Sequence, residues 1–469
     1  MPDIPSLRGV YTFKEGTGIA HYSEIVELGR ANPAVEKLQA IKDSIDEHDL
    51  ATLIYTSGTT GNPKGVMLSH VNIISNCKAA MHVSPVGQEG RALSYLPLCH
   101  VYERMLTYVW LLLGVSIYYV ESIATISENM KEVNPDMIST VPRLVEKIYD
   151  KIFNTGQKLK GFKRFVFFWS IRLALRYKLD GGNGWYYEFK RSIADKLVYS
   201  KWREAFGSNV KAMVSGGAAL QPRLLRIFWA AGIPILEGYG LTETSPVISV
   251  NGFGKGNVKF GTVGAPLEFV TVKIADDGEI LSKGPNVMLG YYKEPEHTRE
   301  AIDVDGWFHT GDIGMIDSDG LLKITGRKKA IFKTSMGKYI SPELLENKLK
   351  ESHFIDNVIV VGEHQKFAAA LIAPDFAFLR SYCTLKEIDA KTPEEMIVNK
   401  QIIHRIRKEV AGYNKHFGAY EQIKKFELID HEWSIDTGEL TASLKLRRSV
   451  VCERYKDLID KLFSVQGED

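Results

Sequence analysis

Between Tyr55 and Gly65 the chain reads YTSGTTGNPKG. Thr56, Ser57, Gly58, Thr59, Thr60 and Gly61 put six small residues in a row, and a single cation, Lys64, follows them. Successive backbone N–H groups in a glycine-rich turn form a concave anion-binding nest. The hydroxyls add donors and the lysine adds a full charge, so the composition suits a polyphosphate. A Walker A loop needs GxxxxGK followed by Ser or Thr. Here Pro63 precedes the lysine and Gly65 follows it, which disfavours a P-loop NTPase.

The flanking pattern supplies the scaffold. ATLIYTS (51–57) and VKAMVSGG (210–217) read as buried strands running into glycine loops. LQPRLLRIFWAAG (220–232) reads as a helix with proline near its start and glycine at its end, and IPILEGYG (233–240) as the next strand. That is a βαβ unit, so the spacing predicts a mostly parallel α/β sheet with the phosphate-binding loop at its edge. After about residue 260 the chain turns rich in Gly, Val and Asp-Gly turns, as in a small β subdomain. SPELLENKLKES (341–352) restarts helix, with Ser341 as cap and Pro342 at the first position. The remainder reads as α+β with its own core in NVIVVGE and AALIAPD. The expected boundary is at Lys328–Lys329, giving a large domain over 1–328 and a small one over 329–469.

Length and composition fit this picture. A chain of 469 residues, 45% hydrophobic and 25% charged, can bury a large core in two or three domains. A net charge of +2 gives no general reason to expect nucleic acid. Cys77, Cys99, Cys383 and Cys452 form no metal spacing, and a reduced, cytoplasmic setting is expected. MLTYVWLLLGVSIYYV (105–120) is shorter than the roughly 20 residues a membrane span needs. It reads better as a buried helix passing through Gly114 into a strand. The segment 157–206 interleaves aromatic and basic residues on helices. Two readings stay open: a basic amphipathic surface for an anionic membrane, or packed helices with lysines snorkelling from their edges.

Taken with its downstream motifs, the opening loop resembles the signature of the adenylate-forming (ANL) enzymes. LPLCHVYER (96–104), SGGAAL (215–220), YGLTET (239–244), GWFHTGDIG (306–314), GRKKAIFKTSMGKYISPELLE (326–346) and LTASLKLRR (440–448) follow in that family's order. LPLCHVYER and TVPRLVEKIYDKI (140–152) are most similar to the long-chain fatty acyl-CoA synthetases. The resemblance implies an α/β fold: a large N-terminal domain of stacked sheets and helices plus a small mobile α+β C-terminal domain. It also implies a two-step reaction using ATP, Mg²⁺ and coenzyme A. A fatty acid and ATP give acyl-adenylate and pyrophosphate, and the CoA thiol then displaces AMP. The alternatives are the same chemistry on a medium-chain or aryl acid, or a catalytically silent acyl- or nucleotide-binding fragment.

The resemblance assigns roles residue by residue. Thr56 to Lys64 would hold the β- and γ-phosphates, and Glu243 would hold Mg²⁺, a hard cation that prefers oxygen ligands. Tyr239 would stack on adenine in the YGLTET turn with Gly240, and Gly217, Ala218 and Ala219 would let the base approach the backbone. Thr242 would meet the α-phosphate. Asp312 would accept from both ribose hydroxyls, with Arg327 donating from the other side. His100 would sit beside the carboxylate at the acyl pocket's mouth; a satisfied core histidine is the other reading. Lys445 would bridge the substrate carboxylate and the α-phosphate. Lys329 would be the hinge between the two half-reactions, and Gly337 would face the CoA tunnel unless SMGK is simply a hairpin tip.

Two departures stand out. Thr441-Ala442-Ser443 precedes Lys445 where the long-chain enzymes usually read Thr-Pro-Thr, so the loop loses a rigidifying proline. The family also carries a substantial region before the phosphate loop, whereas 55 residues precede Thr56 here, so the chain is expected to be a fragment with its large domain truncated at the start.

Overall fold

A computed structural model describes residues 6–56, 63–441 and 446–464, apart from the side chain of Ile123. The chain divides into two units, Met1–Asp49 and Leu50–Asp469. The first unit contains the helices Ser23–Ala31 and Val35–Asp43, neither of which buries a residue. Leu28, Val35, Leu38 and Ile41 are all exposed.

The second unit is mixed α/β, as its alternating pattern requires. Its central sheet has seven strands. Ser116–Tyr119, Arg91–Ser94, Met137–Thr140, Ala212–Ser215 and Ile235–Gly240 lie side by side and parallel. Val247–Val250 and Ala265–Pro266 then continue the sheet antiparallel. Short apolar runs buried on both faces need helices to cover them. One cover is Val101–Leu113, which ends at Gly114 in the left-handed region (φ 70°) and leads into Ser116–Tyr119. Another is Pro222–Ala230, with proline in its first turn.

The strand leading into the signature loop does not belong to this sheet. Leu50–Thr56 pairs antiparallel with Lys64–Ser69, which in turn pairs with Gly290–Tyr291, in a separate three-stranded sheet. Of its seven residues only Ile54 is buried. The apolar run ATLIY therefore marks one face of an edge strand, which periodicity over so short a segment does not distinguish from a central one.

After residue 260 a four-stranded sheet follows in the order Thr271–Ile274, Glu279–Lys283, Phe308–Ile316, Leu322–Arg327. Lys328 and Lys329 fall in the turn after its last strand. Ser341 precedes the helix Pro342–Leu349 but makes no side-chain cap. Its hydroxyl instead donates to Thr325 O (2.9 Å), tying the helix start to the last strand of the β sheet.

Beyond it, Ile355–Val361, Ala368–Pro374 and Ile423–Leu428 form a three-stranded sheet whose first two strands are buried on both faces. Side chains alternate across a strand, and here the alternation divides two cores. Val358, Val360, Ala368, Ala370 and Ile372 face one cluster. Ile359, Val361, Ala369, Leu371 and Ala373 face the other.

Candidate active site

The parallel strands point their C-terminal ends at one place, where α/β sheets bind ligands. Ser215 leads into Gly216 and Gly217, the latter at φ 85°. Gly217, Ala218 and Ala219 are exposed there, between the buried Ser215 and Leu220. The neighbouring strand ends at Tyr239 and Gly240 and passes into a single 3-10 turn, Thr242–Thr244. Gly240 has a steric reason to be glycine: a Cβ would fall 1.7 Å from the Pro246 carbonyl oxygen. Leu241 N donates to that same oxygen (3.1 Å), so the chain doubles back tightly just after Gly240.

An apolar cavity of about 970 Å³, counting the space at its open mouth, runs along the helix Val101–Leu113. Tyr102, Met105, Leu106, Val109 and Trp110 line one wall, and Val214 and Leu236 of the sheet line another. His100, Gly217, Tyr239, Gly240 and Thr242 also line it. His100 is the helix N-cap, its Nδ1 accepting from Tyr102 N (3.3 Å). His100 thus caps the helix and lines the cavity.

A charged network adjoins the turn. Asp312 and Arg327 face each other across two antiparallel strands. Arg327 Nε donates to Asp312 Oδ1 (2.9 Å), and the Tyr239 hydroxyl donates to Oδ2 (2.8 Å). Burial, and then the Asp312 carboxylate, push the Tyr239 phenol well above its usual range, so it stays protonated and donates. Each carboxylate oxygen retains a free acceptor direction beyond these bonds. Next to them, Glu279 accepts from Lys328 Nζ (2.9 Å) and Gly311 N (2.9 Å).

On the other side of the turn, Glu243 Oε1 accepts from the Tyr291 hydroxyl (2.9 Å). Lys64 Nζ stands 5.1 Å over the Tyr291 ring. Thr56 and Lys64 are partners in the hairpin register, so the signature loop starts and ends at one point. Tyr291 thus joins the lysine of that loop to the acid of YGLTET. No motif singles Tyr291 out; the tyrosine pair at 291–292 reads as ordinary β sequence.

Several assigned residues fall elsewhere or beyond description. Ser57, Gly58, Thr59, Thr60, Gly61 and Lys445 lie outside the described residues. Leu440 and Leu446, on either side of the terminal motif, form an antiparallel bridge. Arg448, in the same motif, is tied to Glu346 and to Val360 O (2.9 Å). Gly337 lies at φ 79° in the turn joining Phe332–Lys333 to Tyr339–Ile340, where a Cβ would stand 3.8 Å from the Lys333 side chain. Lys329 is exposed.

Two buried acids are absent from the motif-based set. Glu103 is fully buried in the cavity-lining helix and accepts from Ser94. Glu237 accepts from Leu220 N (3.0 Å), which closes the 215–220 loop. A lone acid inside the apolar runs HVYERM and PILEGY was the available signal. Burial raises Glu103 to about 7, against the opposing pull of its serine bonds. Burial likewise raises Glu237 to about 8, against its backbone bond.

Comparison with known proteins bears on the fold and the family. The family described as AMP-binding enzyme matches residues 14–292, and the AMP-binding enzyme C-terminal domain matches 330–467. The chain is 35% identical to the long-chain-fatty-acid–CoA ligase FadD15 of Mycobacterium tuberculosis, covering 98% of this chain and 77% of that one. It is 34% identical to the human long-chain-fatty-acid–CoA ligase 1, covering 96% of this chain and 65% of that one. Among solved structures, the adenylation domain of a Mycobacterium chelonae carboxylate reductase shares the fold with a TM-score of 0.68 at 22% identity, over 90% of this chain and 61% of that one. O-succinylbenzoate CoA synthetase from Bacillus subtilis, solved with ATP and magnesium, shares it at 0.59 and 21%, over 86% and 70%. Two family matches that together span both the signature loop and the terminal motif leave one conclusion: the chain belongs to the AMP-binding enzymes.

Proposed function

We propose that the protein is a long-chain fatty acid–CoA ligase. It would activate a fatty acid with ATP and pass the acyl group to coenzyme A. The observation that carries this reading is the apolar cavity opening beside Gly217, Gly240 and Thr242, next to the Tyr239–Asp312–Arg327 chain. An apolar bore that ends at polar backbone and hydroxyl groups suits an acyl chain with its carboxylate at the mouth.

In the first step a carboxylate oxygen attacks the α-phosphorus of ATP and pyrophosphate leaves. Residues 56–64 would hold the departing phosphates, and Lys445 would neutralise charge at the reacting phosphorus. Thr242 would contact the α-phosphate. Asp312 and Arg327 would fix the ribose between them, with Tyr239 against the adenine and residues 217–219 beneath it. Glu243, a half-exposed carboxylate with one oxygen held by Tyr291, fits a Mg²⁺ that keeps most of its ligands as water and phosphate. Bound there, the ion would screen phosphate charge. In the second step the CoA sulfur attacks the acyl carbon, AMP leaves, and the thiol proton goes to solvent. Gly337 would border the CoA path, and Lys329 would be the pivot between steps. The helices between 157 and 206 are the part of the chain that would meet a lipid surface.

The test is thioester formation from ATP, CoA and acids of graded length, with pyrophosphate and AMP both measured. Long acids should give AMP and acyl-CoA in equal amounts; a maximum at aryl or short acids would replace the substrate assignment. Lys445→Ala should slow pyrophosphate release roughly a hundredfold or more while sparing thioester formation from supplied acyl-adenylate. Pyrophosphate release near wild type would remove Lys445 from the first step.

A further inference from the structure

The segment 157–206 holds twelve lysines and arginines against four acidic residues, a formal +8 inside a chain whose total is +2. Two of those acids are already paired: Glu188 with Arg191 (2.7 Å) and Asp195 with Arg203 (2.5 Å). Most of the positive charge is therefore unmatched within the segment.

Its helices have two kinds of face. Phe167, Ile171, Tyr187, Tyr199 and Trp202 are buried in one core. The Tyr187 hydroxyl donates to Leu173 O (2.9 Å) and the Tyr199 hydroxyl to Ser170 O (2.6 Å), which locks the later helices against Gly161–Ala174. The packed-helix reading of this sequence thus accounts for one set of aromatics, and a second set remains. Trp185, Phe189, Ile193 and Leu197 recur every fourth residue and are all exposed, Trp185 by 81%. Phe162, 76% exposed, stacks on the exposed Phe165 at 6.4 Å on the neighbouring helix. Lys190 Nζ lies 4.0 Å over the Tyr186 ring, an ammonium held beside the stripe.

Core packing explains none of these side chains, and large exposed aromatics are unfavourable in water unless something covers them. Exposed aromatic anchors in a segment rich in lysines and arginines match the interface of an anionic bilayer: rings enter the headgroup boundary and the cations meet lipid phosphates. We propose that the exposed stripe of Trp185, Phe189, Ile193 and Leu197, together with the exposed Phe162 and Phe165 of the preceding helix, docks this segment on an anionic phospholipid surface. The docking surface is defined by exposure and charge; its use as a source of fatty acid rests on the ligase reading above.

The experiment sediments the 469-residue chain with vesicles of phosphatidylcholine alone or mixed with phosphatidylglycerol. Binding is expected on the mixed vesicles and near zero on the neutral ones. Replacing Lys163, Arg164 and Lys196 with Gln should weaken it about fivefold per charge, roughly a hundredfold together. A second variant, with Phe162, Trp185 and Phe189 changed to Ser, should also release the protein; these positions are exposed, so folding should not suffer. Equal sedimentation with both vesicle types, or wild-type binding by either variant, overturns the proposal. So does capture by an acidic protein with no binding to mixed vesicles. Activation of a long-chain acid dispersed in detergent, without vesicles, is measured alongside. It should be unchanged in both variants, and its absence in the wild type would undo the ligase reading while leaving the lipid result standing.

Discussion

Four carboxyl groups near the site are buried alike, and three of them shift in opposite directions. Glu103 is 0% exposed, and Glu237, Glu279 and Asp312 are each 5% exposed. Glu103 and Glu237 sit against the parallel sheet with serine hydroxyl or backbone N–H partners and no cation, and burial raises both. Glu279 sits in the β sheet that follows. Burial pushes it up too, but Lys328, His309 and the Gly311 N–H outweigh that and hold it below the usual carboxylate range. Asp312, its neighbour, is bonded to Arg327. Burial alone therefore does not set the charge of a carboxyl here; the cation beside it does. The acids beside the apolar cavity are thus raised, making that the more neutral half, while Glu279 is lowered in the more ionised half, where the Asp312–Arg327 ion pair also lies.

Removing Asp312 should show the contrast at its largest. Asp312→Leu leaves the Tyr239 hydroxyl and Arg327 without their acceptor. Unfolding in urea should show a loss of about 2–3 kcal/mol. Acyl-adenylate formation should fall roughly 10- to 100-fold, the worth of one or two charge-assisted hydrogen bonds. A stability change within experimental error would mean that the ionised half does not depend on this pair.

On the neutral half, identity of shape should matter more than charge. Glu237→Gln keeps an acceptor for Leu220 N and should stay within about 1 kcal/mol of wild type, whereas Glu237→Leu strands that N–H and should cost about 1–3 kcal/mol. If Gln proves as damaging as Leu, Glu237 is ionised in the folded protein and the comparison fails.

The two halves should also slope in opposite directions with pH. A carboxyl raised in the folded state holds its proton longer than in the unfolded chain, so its contribution is greatest in acid. That contribution is lost as pH rises from the ordinary carboxylate range through about 7 for Glu103 and about 8 for Glu237. A lowered carboxyl such as Glu279 stabilises above its ordinary value and loses that contribution as pH falls. Urea midpoints measured between pH 5 and 8.5 should decline less steeply in a Glu103→Gln, Glu237→Gln double variant than in wild type. Parallel curves would show that neither acid titrates there.

The smallest effect should come from Lys328→Met. This half-exposed lysine bridges Asp277 (2.7 Å) and Glu279 (2.9 Å), and its removal should cost about 1 kcal/mol or less. Its signature is in the pH profile, where the acid-side loss of stability should be smaller than in wild type, because Glu279 and Asp277 lose a cation that lowers them. An unchanged profile would assign the lowering of Glu279 to His309 and the Gly311 N–H.

Much of this arrangement was legible in the sequence. The βαβ unit at 210–240 and the stop of a helix at Gly114 follow from periodicity and from glycine and proline at element ends. The family resemblance was legible because its motifs recur in order. The edge position of Leu50–Thr56 was not, since pairing partners are set by residues as distant as Gly290 and Tyr291. Ser341 looked like a cap and instead reaches Thr325 O, a choice that only the neighbouring strand decides. The Tyr291 link between Lys64 and Glu243 was hidden for the same reason: a tyrosine in a β segment announces nothing until the fold places an acid beside it.

The tight turn after Gly240 bears on how such sequences are inherited. Because the Pro246 carbonyl occupies the space of a side chain at 240, any substitution there must first rebuild the backbone. A descendant that had lost all adenylating chemistry would still keep this glycine, simply to fold. Divergence among relatives is therefore more informative at Tyr239, Thr242 and Glu243, where no such backbone clash fixes the residue.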